Sequence, residues 1–169
     1  IETLALSAST YSNKWFTSLN TELKTGTDHN RQGNSYWVAP DHNDLSFGNG
    51  TSDRPFSITA WVNIEGVDSA AAQNFPIVAK SSGSTEHEYS FFKSMTSNKL
   101  GFYLFDGASN VFIGALADTG LTSGQHNTWI HVAAVYDYTG SADANALKIY
   151  LNGSQIDTTI FSFGSYSAM

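Results

Sequence analysis

Residues 129–137 read WIHVAAVYD, and after a short polar loop residues 147–157 read LKIYLNGSQID. From Leu147 to Leu151 apolar residues occupy every second position, which is the period of a strand with one buried face. The dipeptide Asn152-Gly153 tolerates the positive φ angles of a type I′ turn. The two segments therefore predict an antiparallel sheet that includes a tight hairpin.

Other short segments rich in β-branched and aromatic residues recur along the chain, separated by Gly, Ser, Asn and Asp. We predict strands at residues 56–62, 75–80, 88–94, 99–105 and 110–116. Their spacing of about ten residues is typical of a β-sandwich. The sequence therefore predicts an all-β, antiparallel two-sheet sandwich. We expect the large side chains of Trp61 and Trp129 in its core.

Composition excludes several classes of function. The 169 residues include 11 Phe, 8 Tyr and 4 Trp, enough to fill the core of one domain. The absence of cysteine excludes disulfides and thiolate metal sites. A net charge of −7 opposes contact with nucleic-acid phosphates. No apolar run approaches the roughly 20 residues of a membrane span, so we expect no membrane insertion.

Five segments together carry a resemblance to a known family. They are residues 45–47, 53–62, 76–80, 129–137 and 147–153, reading LSF, DRPFSITAWV, PIVAK, WIHVAAVYD and LKIYLNG. In this order they resemble the laminin G-like branch of the concanavalin A-like lectin and glucanase superfamily, which also includes pentraxins. The resemblance implies a jelly roll over residues 35–169. Leu4 and Leu6 alternate with small or polar residues, which predicts that residues 1–34 hold a first strand and a connecting segment.

The resemblance also bears on the end of the chain. Such domains close with further strands after the position that matches Met169. Residues 35–169 are therefore expected to lack their closing strands. This predicts either an open sheet edge or a closing strand supplied by other sequence or by another chain.

The loop from Asp44 to Asp53 is the candidate metal site. It offers carboxylate, amide and hydroxyl oxygens, which are the ligands calcium prefers, and the candidate ligands are Asp53, Asn49 and Thr51 with Asp44 further out. Domains of the resembled family often hold calcium at this end of the sandwich, with part of the coordination from the closing strand. The other interpretation, an Asx and glycine turn without metal, stays open.

Two further polar loops, residues 137–145 and 106–110, are candidates for ligand binding. A sugar site needs amide and carboxylate groups for the hydroxyls beside an aromatic face for the ring. The candidate residues are Tyr138, Asp137, Asp106 and Asn110. A purely structural role for such a tyrosine is the alternative.

The sequence does not indicate catalysis. Glucanases of the resembled superfamily carry a Glu-x-Asp-x-x-Glu strand, whereas the nearest acidic pair here is Glu86 and Glu88, predicted in a loop. His131 lies within an apolar strand and is expected to be a sheet histidine with a hydrogen bond. We therefore expect no enzymatic activity.

The leading hypothesis is a non-enzymatic recognition module that binds a glycan or another cell-surface ligand, assisted by calcium. The lack of cysteine argues against an animal matrix protein. The polar surface and the resemblance suit a larger bacterial adhesin or bacteriophage protein, located extracellularly or on the virion surface. The alternative is a structural or decoration subunit that packs on other virion or adhesin subunits and binds no sugar.

Overall fold

The strands of this chain build two separate antiparallel sheets. A computed structural model describes residues 41–64, 74–82, 86–94, 96–107 and 111–169. The described strands are β1 (Phe56–Asn63), β2 (Phe75–Ser82), β3 (Glu86–Lys93), β4 (Leu100–Phe105), β5 (Phe112–Ala117), β6 (Trp129–Tyr136), β7 (Leu147–Leu151), β8 (Ser154–Gln155) and β9 (Thr158–Phe163). Short 3₁₀ helices span Asn43–Leu45, Ser123–Gln125 and Ala144–Ala146.

The described strands form a four-stranded sheet in the order β1-β6-β7-β8 and a five-stranded sheet in the order β2-β3-β4-β5-β9. Every pairing of neighbours is antiparallel. This confirms the predicted all-β, two-sheet sandwich of the concanavalin A-like class. All of these strands belong to the second of two compact units into which the chain divides, Ile1–His42 and Asn43–Met169.

The core lies between the inner faces of the two sheets. Phe56 on β1 meets Phe102 on β4 edge to face, with ring centroids 5.8 Å apart. Phe91, Leu104 and Ile149 are fully buried in the same cluster. Inward-facing residues from both sheets fill this layer, so the described part of the chain forms its core from strands. Among the described residues, no helix has the length and apolar character needed to cross a membrane.

Trp61 and Trp129 do not lie in the core, and the prediction that they do is wrong. Both are exposed on the outer face of the four-stranded sheet. In β1 the buried or half-buried positions alternate with exposed ones from Phe56 onward, and Trp61 falls on the exposed parity. Strand parity therefore outweighs side-chain size in deciding which face a residue takes.

The predicted hairpin turn is confirmed. Asn152 and Gly153 have φ angles of +49° and +83°, as a type I′ turn requires. The Asn152 side chain also accepts a hydrogen bond from the backbone N–H of His131 at 2.9 Å. The turn thus joins β7 to β8 and fastens both to the start of β6.

Several predicted segments differ from the structure. β9 was not predicted. The pair Glu86 and Glu88 lies on strand β3, so its prediction as a loop is wrong. The predictions for residues 1–34 and for Asn110 lie outside the described residues.

Candidate functional site

The predicted metal loop is a tight turn held by its own amide. The Asn49 Oδ1 accepts hydrogen bonds from the Thr51 N–H at 3.0 Å, the Thr51 hydroxyl at 2.8 Å and the Ser52 N–H at 2.8 Å. An isolated bridge between Gly48 and Asp53 closes the turn at its base. Asp44 stands apart from it, exposed in the first 3₁₀ helix. This geometry is that of an Asx turn.

Asp53 is buried, with 4% of its surface exposed. Its Oδ2 accepts hydrogen bonds from the hydroxyls of Tyr136 at 3.1 Å and Tyr166 at 2.7 Å. Its Oδ1 accepts one from the backbone N–H of Met169 at 2.8 Å. We call these four residues the Asp53 clasp, since one carboxylate joins the base of the turn to β6 and to the C-terminal segment.

The oxygens predicted as calcium ligands are thus engaged by protein donors. Both oxygens of Asp53 and the amide oxygen of Asn49 accept hydrogen bonds. Over the described ranges, no group of three or more His, Asp or Glu side chains is placed to hold a metal ion. As placed here, these residues do not fit calcium, and a calcium site stays a prediction from the sequence.

The clasp keeps its two tyrosines protonated. Burial raises the pKa of Tyr136, and the charge and hydrogen bond of Asp53 raise it further. Burial also raises the pKa of Tyr166, again reinforced by Asp53. A raised pKa favours the neutral hydroxyl, which is the form that can donate to a carboxylate.

The three loops chosen from the sequence meet around these tyrosines. Asp106, from the second candidate loop, accepts hydrogen bonds from the Ser167 N–H at 3.2 Å and the Ser167 hydroxyl at 2.9 Å. Its charge adds to the raised pKa of Tyr166. Asp143, from the third candidate loop, adds in the same way to the raised pKa of Tyr136. Asp53, Asp106 and Asp143, one from each candidate loop, therefore lie around the same two tyrosines.

The named ligand residues serve other contacts there. Asp137 is exposed and accepts a hydrogen bond from the Lys148 ammonium at 2.8 Å. Tyr138 is half-buried, with its ring 5.7 Å from that of Tyr136, and packs against the core. Asp106 holds the C-terminal segment through Ser167. Their assignment to ligand binding stays a prediction.

An open hollow of about 440 Å³ lies beside this end of the sandwich. Its walls come from the loop before β7, from β9 and from the segment that follows β9. The lining residues are Ile113, Ala142, Asp143, Ala144, Asn145, Ile160, Phe161, Ser162, Gly164, Ser165 and Tyr166. The residues around the hollow thus include a carboxylate, an amide and hydroxyls together with the aromatic residue Tyr166.

A family model for the concanavalin A-like lectin/glucanases superfamily, of the laminin G type, matches residues 31–168. The chain belongs to that superfamily. No curated protein and no solved structure is significantly similar to it. Membership supports a lectin-like binding module, and it confirms the resemblance carried by the strand segments.

The hollow of this laminin G-like domain was only partly foreseen. Asp143 and Asn145 lie in the polar loop that the sequence singled out. Phe161 and Tyr166 were missed because the segment after residue 157 was not recognised as a strand. A run of β-branched and aromatic residues from Thr158 to Phe163 was the available signal.

On β3, the Glu88 carboxylate is engaged by residues that do not line the hollow. The Glu88 Oε1 lies 2.8 Å from the Lys80 ammonium and accepts a hydrogen bond from the Ser46 hydroxyl at 3.1 Å. An ion pair of this kind ties β3 to β2 and to the segment before β1. It gives Glu88 a structural role.

Proposed function

We propose that the protein is a non-enzymatic recognition module that binds a glycan in the hollow beside the Asp53 clasp. The observation that carries this proposal is the lining of the hollow, which includes Asp143, Asn145 and the aromatic residue Tyr166. Sugar sites combine polar groups for hydroxyls with an aromatic surface for the ring. The module would act extracellularly or at a virion surface, within a larger adhesive or virion protein.

The loop that lines the hollow is held in place by its own hydrogen bonds. The Asp143 Oδ1 accepts hydrogen bonds from the Asn145 N–H and from the Asn145 side-chain amide, both at 2.8 Å. On the opposite wall the Tyr166 hydroxyl donates to Asp53. Walls fixed in this way lose little conformational entropy on binding, which favours affinity for a small ligand.

The lining favours binding over hydrolysis. Glycoside hydrolysis requires two carboxyl groups on either side of the scissile bond, about 5–9.5 Å apart. Among the described residues that line the hollow, Asp143 is the only acidic one. The proposal is therefore recognition without catalysis.

A glycan array tests the proposal, with Asn145→Ala as the first variant. Asn145 is exposed, so its truncation should leave the fold intact while it removes an amide from the hollow. The matched control is Thr139→Ala, an exposed polar residue of the same loop that lies outside the hollow lining. We expect the first variant to lose binding and the control to keep it. Equal binding by both variants, or no array signal from folded protein, would contradict the hollow as a site.

The same array decides the calcium prediction. It is run in about 1 mM calcium and in chelator, since protein calcium sites outside cells have dissociation constants of about 0.1–1 mM. Binding that requires calcium would support calcium assistance. Equal binding in both conditions would remove calcium from the proposed function.

A second candidate function is a structural subunit that packs on other virion or adhesin subunits. It is favoured by exposed apolar side chains on the five-stranded sheet, namely Phe75, Val78 and Phe163. Such side chains at strand edges can enter a subunit interface. A silent array together with concentration-dependent self-association in sedimentation, reduced by Phe163→Ser, would support this role.

A further inference from the structure

The outer face of the four-stranded sheet presents two exposed indoles. Trp61 is 57% exposed and Trp129 is 50% exposed. In the register of β1 and β6, Trp61 lies opposite His131 and Trp129 lies opposite Asn63, so the indoles occupy successive rows of one face. We call these four residues the indole face. The rings of Trp61 and His131 meet edge to face with centroids 5.4 Å apart.

The two indoles have fewer ring contacts than the aromatic residues on the outer face of the other sheet. On the outer face of the five-stranded sheet, Tyr103 stacks on Phe112 with centroids 5.4 Å apart and meets Phe161 at 5.1 Å. Those rings cover one another. Among the described residues, the ring contact with His131 is the only one recorded for either indole.

The size of the indole face suits a small ligand better than a protein. At about 250 Å² for a tryptophan side chain, the exposed fractions amount to about 270 Å² in total. A stable protein interface buries about 800 Å² on each partner. An exposed indole instead offers a flat apolar surface to the C–H face of a pyranose ring, while its neighbours can bond the hydroxyls.

The polar groups beside the indoles indicate which ligand charge the face favours. The strand pairs in these rows place the imidazole of His131 and the amide of Asn63 next to the indoles, with no carboxylate or ammonium. The net charge of −7 repels anionic glycans. We propose that the indole face binds neutral pyranosides by stacking. This inference rests on the proposed function for its class of ligand and assigns that ligand a second contact surface, away from the hollow.

Calorimetric titration of four neutral hexasaccharides, built from glucose, xylose, mannose or N-acetylglucosamine, tests the indole face. The variants are Trp61→Ala and Trp129→Ala, both on an exposed face. The matched control is Phe163→Ala, which truncates an aromatic residue that is 60% exposed on the other sheet. Asn145→Ala probes the hollow. All variants are first shown to unfold in urea as cooperatively as the parent protein.

We expect the parent protein to bind at least one hexasaccharide and each tryptophan variant to bind it at least about tenfold more weakly, with Phe163→Ala unchanged. Binding that survives both tryptophan variants but is lost in Asn145→Ala would overturn the indole face and retain the hollow. The reverse pattern would support the indole face and remove the hollow. No binding of any hexasaccharide would overturn the indole face, whereas an array signal from other glycans that is lost in Asn145→Ala would still support the hollow.

Discussion

Replacing Asp53 by alanine should destabilise the protein more than the loss of any other single carboxylate described here. The Asp53 side chain is buried and accepts hydrogen bonds from Tyr136, Tyr166 and Met169. Alanine would leave two hydroxyls and one backbone N–H without this partner. Buried donors without partners carry a desolvation cost, so the effect should exceed the loss of packing.

The magnitude follows from the three contacts of the Asp53 clasp. Hydrogen bonds to a charged group contribute about 1.5–3 kcal/mol each, which gives a simple sum of about 4.5–9 kcal/mol. The three bonds share one carboxylate, and alanine also removes the cost of burying its charge, so the sum is an upper bound. We expect a loss of about 3–5 kcal/mol in the free energy of unfolding, as for other broken buried charge contacts.

Urea unfolding followed by tryptophan fluorescence measures this loss. With a slope of about 2 kcal/mol per molar urea, the midpoint should fall by about 2 M. The matched control is Asp106→Ala, which releases the C-terminal segment from Ser167 at a more exposed position. We expect that control to lose less than about 1.5 kcal/mol. Equal losses in the two variants, or a loss below about 1 kcal/mol in Asp53→Ala, would refute the argument from buried donors.

Three further predictions concern pH and backbone. The raised pKa values of Tyr136 and Tyr166 mean that the folded state holds these protons more tightly than the unfolded state, so stability should persist below about pH 10 and fall above it. Urea midpoints across this range should show the fall, and Tyr166→Phe should flatten it. Gly114→Ala would place a Cβ 2.7 Å from the Phe161 ring and should lower the free energy of unfolding by about 1–3 kcal/mol. Its control is Gly124→Ala, whose added Cβ would have no atom within 4 Å, so its melting temperature should change little. Asn152→Ala would force alanine into a φ of +49° and remove the amide that bonds the His131 N–H, so the free energy of unfolding should fall by about 1–2 kcal/mol. An unchanged urea midpoint would contradict this.

The alternation of apolar and polar residues predicted the main strands of the four-stranded sheet, but it did not predict β9 at the edge of the five-stranded sheet. β1 alternates Phe56, Ile58 and Ala60 with polar residues, and β7 places Leu147 and Ile149 two residues apart on the core face, so their period is plain in the sequence. β9 carries Ile160 toward the core and Phe161 toward the outer aromatic surface. Because both of its faces hold apolar residues, simple alternation does not mark it as a strand.

The alternation of residues along β1 and β6 already indicated that the two tryptophans face outward. Phe56, Ile58, Ala60 and Val62 pack in or against the core, so Trp61 between them must face outward. Likewise, Trp129 directly precedes the buried Ile130, so its side chain lies on the opposite, outer face of the sheet. The general tendency of large aromatics to be buried gave the wrong answer because it ignores position within the strand.

The site was less predictable because its contacts are distant along the chain. Asp53 meets Tyr136, 83 residues later, and Tyr166, 113 residues later. A local pattern of Asp, Asn and Gly signals oxygen ligands or a turn equally well. Only the fold brings two buried hydroxyls to this carboxylate and so gives it protein partners.

Tyr166 connects Asp53, the most buried carboxylate among the described residues, to the hollow. Its hydroxyl belongs to the Asp53 clasp while its ring lines the hollow, opposite the loop held by Asp143. Under the proposed function, the bond would fix the position of an aromatic residue that a sugar would contact, so the clasp would contribute to recognition as well as to stability. This link explains how an acidic residue at the turn can matter for binding through the protein's own hydrogen bonds, even where it does not contact the ligand.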